Sequence, residues 1–281
     1  MPRTLKSLKT PLRYPGGKSR AVPKLLQYLP NLFQVKEFRE PFLGGGSVAL
    51  EITKRYPHID IWVNDLYEPL YNFWCELQHN GQELQDALLG IKTIYCNPDA
   101  ARCLFISSKE QINDSDLSNF DRAVAFYIVN KCSFSGLTES SSFSEQASES
   151  NFSTNGIERL TEYSEIIERW KITNLSYESM LCDDKDTFIY LDPPYDIKDN
   201  LYGKKGDMHK RFDHDKFAHD CDQHTCPMLI SYNSDQIIRD RFYEWTVGEF
   251  AHTYTMRSVG CYNIDQATRK ELVLTNYEMR S

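Results

Sequence analysis

The sequence predicts an α/β fold, a nucleotide-binding type of sheet with an inserted helical and hairpin subdomain, and three observations predict it. A glycine turn lies between a strand and a helix near the start of the chain. A second strand ends on an acid about 20 residues farther on. A third and strongly apolar strand runs directly into Asp192-Pro193-Pro194-Tyr195.

The elements follow in order. Residues 38–42 form a short strand ending in Leu43-Gly44-Gly45-Gly46-Ser47, and a helix continues through Val48-Ala49-Leu50-Glu51. Residues 59–63 form a second strand that ends at Asn64-Asp65. Strand, glycine turn, helix and a strand with a terminal acid make a βαβ opening. The pattern then changes character, with helices predicted over 70–89, 98–111 and 119–131. Ser133-Phe134-Ser135-Gly136-Leu137 follows, then a serine-rich stretch to Ser153 whose turn-forming composition reads as a flexible surface loop. The α/β alternation resumes with a helix over 157–169 and strands at 171–175 and 187–191. A helix opens near Asp213 with Phe217 and Cys221 on its buried side. A strand at 228–231, a helix at 235–242 and an antiparallel pair at 245–250 and 271–277 complete the chain. The organisation is one α/β domain made of 1–65 and 156–281, interrupted by an insertion at 66–155.

Composition fits an ordinary soluble globular protein: 281 residues, 41% hydrophobic and 26% charged. No apolar run approaches the roughly 18 residues of a membrane span. The polar, basic start of the chain is unlike a secretory signal, so the cytoplasm is the expected location. The eight cysteines include no pair at CxxC spacing and are read as reduced thiols. Cys221, His224 and Cys226, with His214 and His219 nearby, fit no zinc spacing, so no metal is expected. A net charge of −8 speaks weakly against nucleic acid, but its distribution matters more. Arg3, Lys6, Lys9, Arg13, Lys18, Arg20, Lys24 and Lys36 precede the first acid, and Lys198, Lys204, Lys205, Lys210 and Arg211 follow Tyr195. Each cluster reads as a phosphate-tracking surface or as a solvated face.

The glycine turn lets the backbone bend tightly and approach a ligand. Its spacing is neither Gly-x-Gly-x-x-Gly nor a P-loop, which excludes the dinucleotide and P-loop classes. Asp65 suits a pair of ribose hydroxyls, or caps the next helix. Asp192-Pro193-Pro194-Tyr195 stands where open α/β sheets place ligands. The prolines donate no hydrogen bonds and fix the backbone. An exocyclic amine on a planar base is a poor nucleophile because its lone pair is delocalised. The Asp192 carboxylate and the Pro193 carbonyl can accept both amino hydrogens and aim the lone pair at a sulfonium methyl, while Tyr195 stacks on the base. In-line transfer then relies on positioning and charge placement, without a metal. A base in a duplex has to be flipped out to reach such a site.

Together these segments resemble the Dam-type DNA adenine-N6 methyltransferases, the α group with the class D12 motif order. Arg13-Tyr14-Pro15-Gly16-Gly17-Lys18 is similar to the family's N-terminal motif, Glu40-Pro41-Phe42-x-Gly44-x-Gly46-Ser47 to its cofactor motif, and Asp192 to Tyr195 to its catalytic motif. The resemblance implies a Rossmann-like S-adenosylmethionine-dependent methyltransferase sheet, with 66–155 as the target-recognition insertion and S-adenosylhomocysteine as product. It implies that Tyr14, Gly17, Lys18, Pro41, Phe42, Gly44, Gly46, Ser47 and Asp65 help hold the cofactor, with Phe42 near its adenine and Asp65 on the ribose. Asp192 borders the cofactor as well. Glu178 falls where the family usually has an aspartate near the cofactor adenine. Arg13, Phe134, Ser135, Leu137 and Glu139 are the expected DNA contacts, with Lys204, Lys205, Lys210 and Arg211; a solvated arginine is the alternative for Arg13, and a core residue of the hairpin the alternative for Phe134. Many members place an arginine where this chain has Glu139. An acid cannot donate to guanine O6 and N7, so the resemblance does not carry over a GATC target. Double-stranded DNA is the implied partner, and a cognate restriction endonuclease a further one. Cytosine-N4 or RNA-adenine methylation, and a catalytically silent DNA-binding relative, are the competing functions.

Overall fold

The computed structural model describes residues 9–14, 16–95, 97–136, 141–195, 212–251 and 270–279. Among them, seven strands form one sheet in the order β3-β2-β1-β4-β5-β7-β6. The strands are β1 (Glu37–Glu40), β2 (Asp60–Asn64), β3 (Lys171–Thr173), β4 (Thr187–Leu191), β5 (Met228–Asn233), β6 (Thr246–Ala251) and β7 (Lys270–Thr275). β1 pairs in parallel with β2 and with β4, β2 with β3, and β4 with β5. β7 is wedged antiparallel between β5 and β6. That reversal brings the first residues of β7 to the edge where the parallel strands end. In register, Glu271 lies opposite Asn233, the last residue of β5.

Period-2 alternation sorts the central strands between two cores. Ile189, Leu191, Met228, Ile230, Leu272 and Leu274 face one apolar cluster. It is covered by α10 (His214–Asp222) and α11 (Gln236–Arg241). Phe217 and Cys221 are fully buried there, on the side of α10 predicted, and the Asp213 carboxylate caps the helix by accepting from Asp215 and Lys216 N–H. Phe38, Phe188, Tyr190, Leu229 and Val273 face the other cluster. It is shared with α1 (Val22–Leu25), α2 (Ser47–Arg55), α3 (Glu68–His79) and α4 (Gly81–Ile94).

Beyond β2, the helix predicted over 70–89 is two helices, α3 and α4. Asn80 closes the first and opens the second, with its Nδ2 donating to Glu76 Oε2 at 2.6 Å. α5 (Pro98–Gln111) and α6 (Asn119–Cys132) agree with expectation to within a residue. Asn97 and Ser118 cap them through side-chain oxygens that accept from Ala100 N and Asp121 N. Arg122 reaches from α6 to both oxygens of Glu68 on α3, at 3.1 and 2.9 Å. From Ser141 on, the serine-rich stretch is more regular than its composition predicts. It contains α7 (Glu145–Ser150) and leads into α8 (Thr154–Ile157). Ser144 and Ser153 are their N-caps, and Ser148 and Phe152 are buried. Serine is a poor interior helix former but a good cap, which is why composition alone suggested a loop. The helix predicted over 157–169 ends in α9 (Leu160–Ile166). No helix among the described residues is long and apolar enough to cross a membrane.

Candidate active site

The site is assembled at the ends of the parallel strands. β1 ends on Glu40, whose buried carboxyl accepts from Ala49 N at 2.8 Å and so ties the strand to the first turn of α2. Burial pushes this carboxyl well above the usual carboxylate range. Between them Gly44 and Gly46 adopt left-handed backbone, with φ of 50° and 69°. A Cβ at Gly44 would lie 2.8 Å from the Tyr14 ring, and one at Gly46 would lie 2.9 Å from the Trp74 ring. The turn therefore needs glycine for two reasons, its dihedrals and the aromatic side chains packed on it. Trp74 Nε1 donates to Gly44 O at 3.1 Å, and Ser47 Oγ lies 3.0 Å from Ser19 Oγ.

β2 delivers Asn64 and Asp65. Asn64 donates to Pro41 O at 3.1 Å and to Leu175 O at 2.9 Å, joining the exits of β1 and β3. Asp65 accepts from Gly44 N at 2.9 Å and from Tyr67 N at 3.0 Å. Burial pushes its carboxyl up to about 6, against the pull of those two donors. Asp65 thus both ties the glycine turn to β2 and braces the entry of α3. Phe42 stacks on Tyr177 at 5.7 Å and meets Phe212 and Phe217 edge-on. The Tyr177 hydroxyl donates to Asp220 at 2.7 Å. Glu178 stands on the exposed side of the same turn, where it pairs with Lys216 at 2.9 Å.

β4 delivers Asp192 and Tyr195 into a network of charge. Lys18, only 3% exposed, donates to Asp192 Oδ1 at 2.7 Å and Oδ2 at 2.8 Å. It also donates to the Tyr195 hydroxyl at 2.6 Å and to Gly16 O at 3.2 Å. Ser231 Oγ on β5 donates to Asp192 Oδ1 at 3.0 Å, and Tyr190 Oη lies 2.8 Å from Ser231 Oγ. The Tyr195 hydroxyl donates to Glu271 on β7 at 2.6 Å, and Glu271 stands 3.3 Å from Lys18 Nζ. Burial raises the Asp192 pKa, opposed by the Lys18 charge beside it. Burial would lower the Lys18 pKa, but the charges of Asp192 and Glu271 outweigh it and the net shift is upward. This is a carboxylate with two oriented oxygens at a strand end, beside an aromatic ring and two prolines.

Arg13 and the chain after α6 meet on one side. Asn130, fully buried, accepts from Arg13 N at 2.9 Å and donates to Arg13 O at 2.6 Å. Arg13 Nη1 donates to Ser133 O at 2.8 Å, so the guanidinium is half-buried and held rather than solvated. Ser133 and Phe143 form an antiparallel bridge, and Phe134 is 48% exposed beside it. Gly17 is exposed in a turn whose N–H donates to Tyr14 O at 3.0 Å. Leu137, Glu139, Lys198, Lys204, Lys205, Lys210, Arg211, Cys96, Cys261 and the side chain of Ser135 lie outside the described residues. Cys75, Cys103, Cys132, Cys182, Cys221 and Cys226 are free thiols. Among the described residues no group of three His, Cys, Asp or Glu is arranged to hold a metal.

Three residues of the network, Tyr190, Ser231 and Glu271, were not singled out from the sequence. The signal for Glu271 was its place: an acid opening an otherwise apolar strand. It becomes a site signal once that strand is known to run antiparallel into the edge.

The seven-strand sheet, with its one reversed strand and its Asp-Pro-Pro-Tyr segment at the end of β4, defines a Rossmann-like methyltransferase. The chain belongs to the D12 class N6 adenine-specific DNA methyltransferase family, whose family model matches residues 14–256. It is 28% identical over 189 residues to a DNA adenine methylase of Vibrio cholerae, covering 66% of this chain and 64% of that protein. It is 22% identical over 198 residues to the type II methyltransferase M.MjaIII of Methanocaldococcus jannaschii, covering 66% and 68%. It is 20% identical over 282 residues to the type II methyltransferase M1.LlaDCHI of Lactococcus lactis subsp. cremoris, covering 94% of each. Membership of this family implies S-adenosylmethionine as methyl donor.

Proposed function

We propose that this chain methylates adenine N6 at a specific site in duplex DNA, on a base flipped out of the helix, with Asp192 as the acceptor that orients the amine. The observation that carries the reading is the Asp192 carboxylate at the end of β4. Both its oxygens already grip an ammonium, at 2.7 and 2.8 Å, as they would grip an amino group. The Pro193 carbonyl is the second acceptor, and the Tyr195 ring is the stacking surface beside it. With both amino hydrogens held, the nitrogen lone pair turns out of conjugation and toward the methyl donor. Positioning of this kind is worth several orders of magnitude in rate.

The residues at the ends of β1 and β2 fit S-adenosylmethionine. Asp65 offers acceptors for ribose hydroxyls, and Phe42 with Tyr177 offers an aromatic wall for the adenine, with Glu178 assigned to the adenine amine. Tyr14, Gly17, Lys18, Pro41, Gly44, Gly46 and Ser47 form the rest of that cradle. Bound there, the cofactor supplies an activated methyl group on a sulfonium. Residues 66–155 serve target recognition, with Arg13 and Phe134 toward the DNA. Ser135, Leu137 and Glu139 are assigned to DNA contact as well, and Lys204, Lys205, Lys210 and Arg211 to the backbone phosphates. A cognate restriction endonuclease is the partner in the host, and the cytoplasm the location. Two relatives named type II methyltransferases support the first of these.

The test is Asp192→Asn. The amide keeps the shape but loses one acceptor and the charge, so methyl transfer falls by at least about 100-fold while cofactor affinity is largely kept. Full activity in this variant contradicts the assignment.

A further inference from the structure

Glu271 is a buried acid for which the proposed chemistry has no use. Its residue is 0% exposed, it receives the Tyr195 hydroxyl at 2.6 Å, and it stands 3.3 Å from Lys18 Nζ. An ionised carboxylate in such a place is costly unless paired and hydrogen-bonded. Strand direction explains how it arrives there: β7 runs antiparallel, so its second residue reaches the edge at which β4 and β5 end. Alternation explains its face, since Glu271 is two residues from Val273 and shares that strand face with it.

The distances around Lys18 point to a role. An ammonium has three N–H donors. Lys18 lies within reach of both Asp192 oxygens, the Tyr195 oxygen and Gly16 O, with Glu271 slightly farther away. An amino group arriving at Asp192 needs oxygens that Lys18 now covers. As it arrives, Lys18 has to keep a counter-charge, because a buried ammonium without one is strongly destabilised. Glu271 is already in place to supply it.

We infer that Glu271 is a positioning residue for methyl transfer: it holds Lys18 and the Tyr195 ring in place while Asp192 passes from Lys18 to the target amine. This rests on the reading of Asp192 as amine acceptor. Glu271 acts through Lys18 and Tyr195 and does not touch the reacting atoms. Among the described residues, the titratable groups around it are Lys18 from the N-terminal segment, Asp192 and Tyr195 after β4, Tyr190 on β4 and Glu40 on β1. The Glu271 charge raises the pKa of Lys18 and of Asp192. Its removal therefore lowers both.

The experiment compares the wild-type chain with Glu271→Gln and Glu271→Asp. Glutamine keeps an acceptor for the Tyr195 hydroxyl but removes the charge, and aspartate keeps the charge. Two readouts are taken, methyl transfer to DNA against pH and the titration of the Lys18 ammonium by NMR with carbon-13 lysine, assigned with Lys18→Arg. In Glu271→Gln, kcat falls about tenfold or more with little change in KM for S-adenosylmethionine. The acid limb of the kcat profile moves to lower pH, and the Lys18 midpoint falls. Glu271→Asp recovers part of kcat and of the Lys18 midpoint. Unchanged kcat in Glu271→Gln overturns the inference. So does a loss of kcat with the acid limb and the Lys18 midpoint unmoved, since that is what a packing residue would give. If the wild-type chain methylates no adenine, the parent reading fails and the role of Glu271 in methyl transfer falls with it; the NMR arm distinguishes that case, because the Lys18 midpoint still falls in Glu271→Gln if Glu271 holds the Lys18 charge, and an unmoved midpoint rejects that as well.

Discussion

Cofactor affinity should rise with pH through about 6, because the acid assigned to the ribose titrates there. Burial raises the Asp65 carboxyl from 3.8 to about 6. With that value it is roughly one-tenth ionised at pH 5 and roughly nine-tenths ionised at pH 7. Ribose hydroxyls are donors and favour the ionised acceptor. The association constant for S-adenosylmethionine should therefore increase about tenfold over this interval, or about 1.4 kcal/mol. Folding should respond in the opposite sense. An acid whose folded pKa lies above its unfolded one binds protons more tightly when folded, so its contribution to stability is present at low pH and lost as pH rises between about 4 and 6. The shift from 3.8 to about 6 corresponds to about 3 kcal/mol against the fold at neutral pH. Isothermal titration calorimetry at pH 5, 6 and 7 measures the first effect, with Asp65→Asn as the control that flattens it. Affinity that is constant or falls over this range in the wild-type chain refutes the assignment of Asp65 to the ribose.

Other perturbations test other parts of the site. Lys18→Met leaves Asp192 facing Glu271 with no cation from Lys18 between them; denaturant unfolding should show a loss of about 3–5 kcal/mol, and a smaller loss when Glu271→Gln is added. Gly44→Ala puts a Cβ 2.8 Å from the Tyr14 ring in left-handed backbone. It should cost at least about 1–2 kcal/mol of stability and weaken cofactor binding in calorimetry. Neutralising Lys204, Lys205, Lys210 and Arg211 together should weaken DNA binding and reduce its salt slope by up to about 4 in a filter-binding series. An unchanged slope rejects that segment as a phosphate-tracking surface.

The sheet was legible because its strands obey local rules. The apolar run Phe188-Ile189-Tyr190-Leu191 is buried at every residue, as a central parallel strand requires. The glycine turn was legible because few residues tolerate its dihedrals. What occupies the space beside those glycines was not: Tyr14 and Trp74 are distant in sequence and meet the turn only in three dimensions. Arg13 likewise gave no sign that Asn130, 117 residues away, would clamp its backbone. Asp192 was found from its own neighbours, but its partners come from elsewhere. Lys18 was linked to it only through motif order, and Ser231 and Glu271 sit in strands whose pattern reports burial and not direction. Glu271 needed the antiparallel insertion of β7, a matter of topology that spacing does not express. The serine-rich stretch shows the reverse case, where a compositional rule misled because the serines cap helices.

Transfer of a methyl group to adenine N6 in DNA through Asp192 can be tested on the chain itself. Its most direct test is incubation of the chain with methyl-labelled S-adenosylmethionine and a mixed duplex DNA library, followed by identification and mapping of the modified base. N6-methyladenine is expected at one short recurring sequence, and it is lost in Asp192→Asn. Label recovered as N4-methylcytosine, or adenine label that persists in Asp192→Asn, contradicts it.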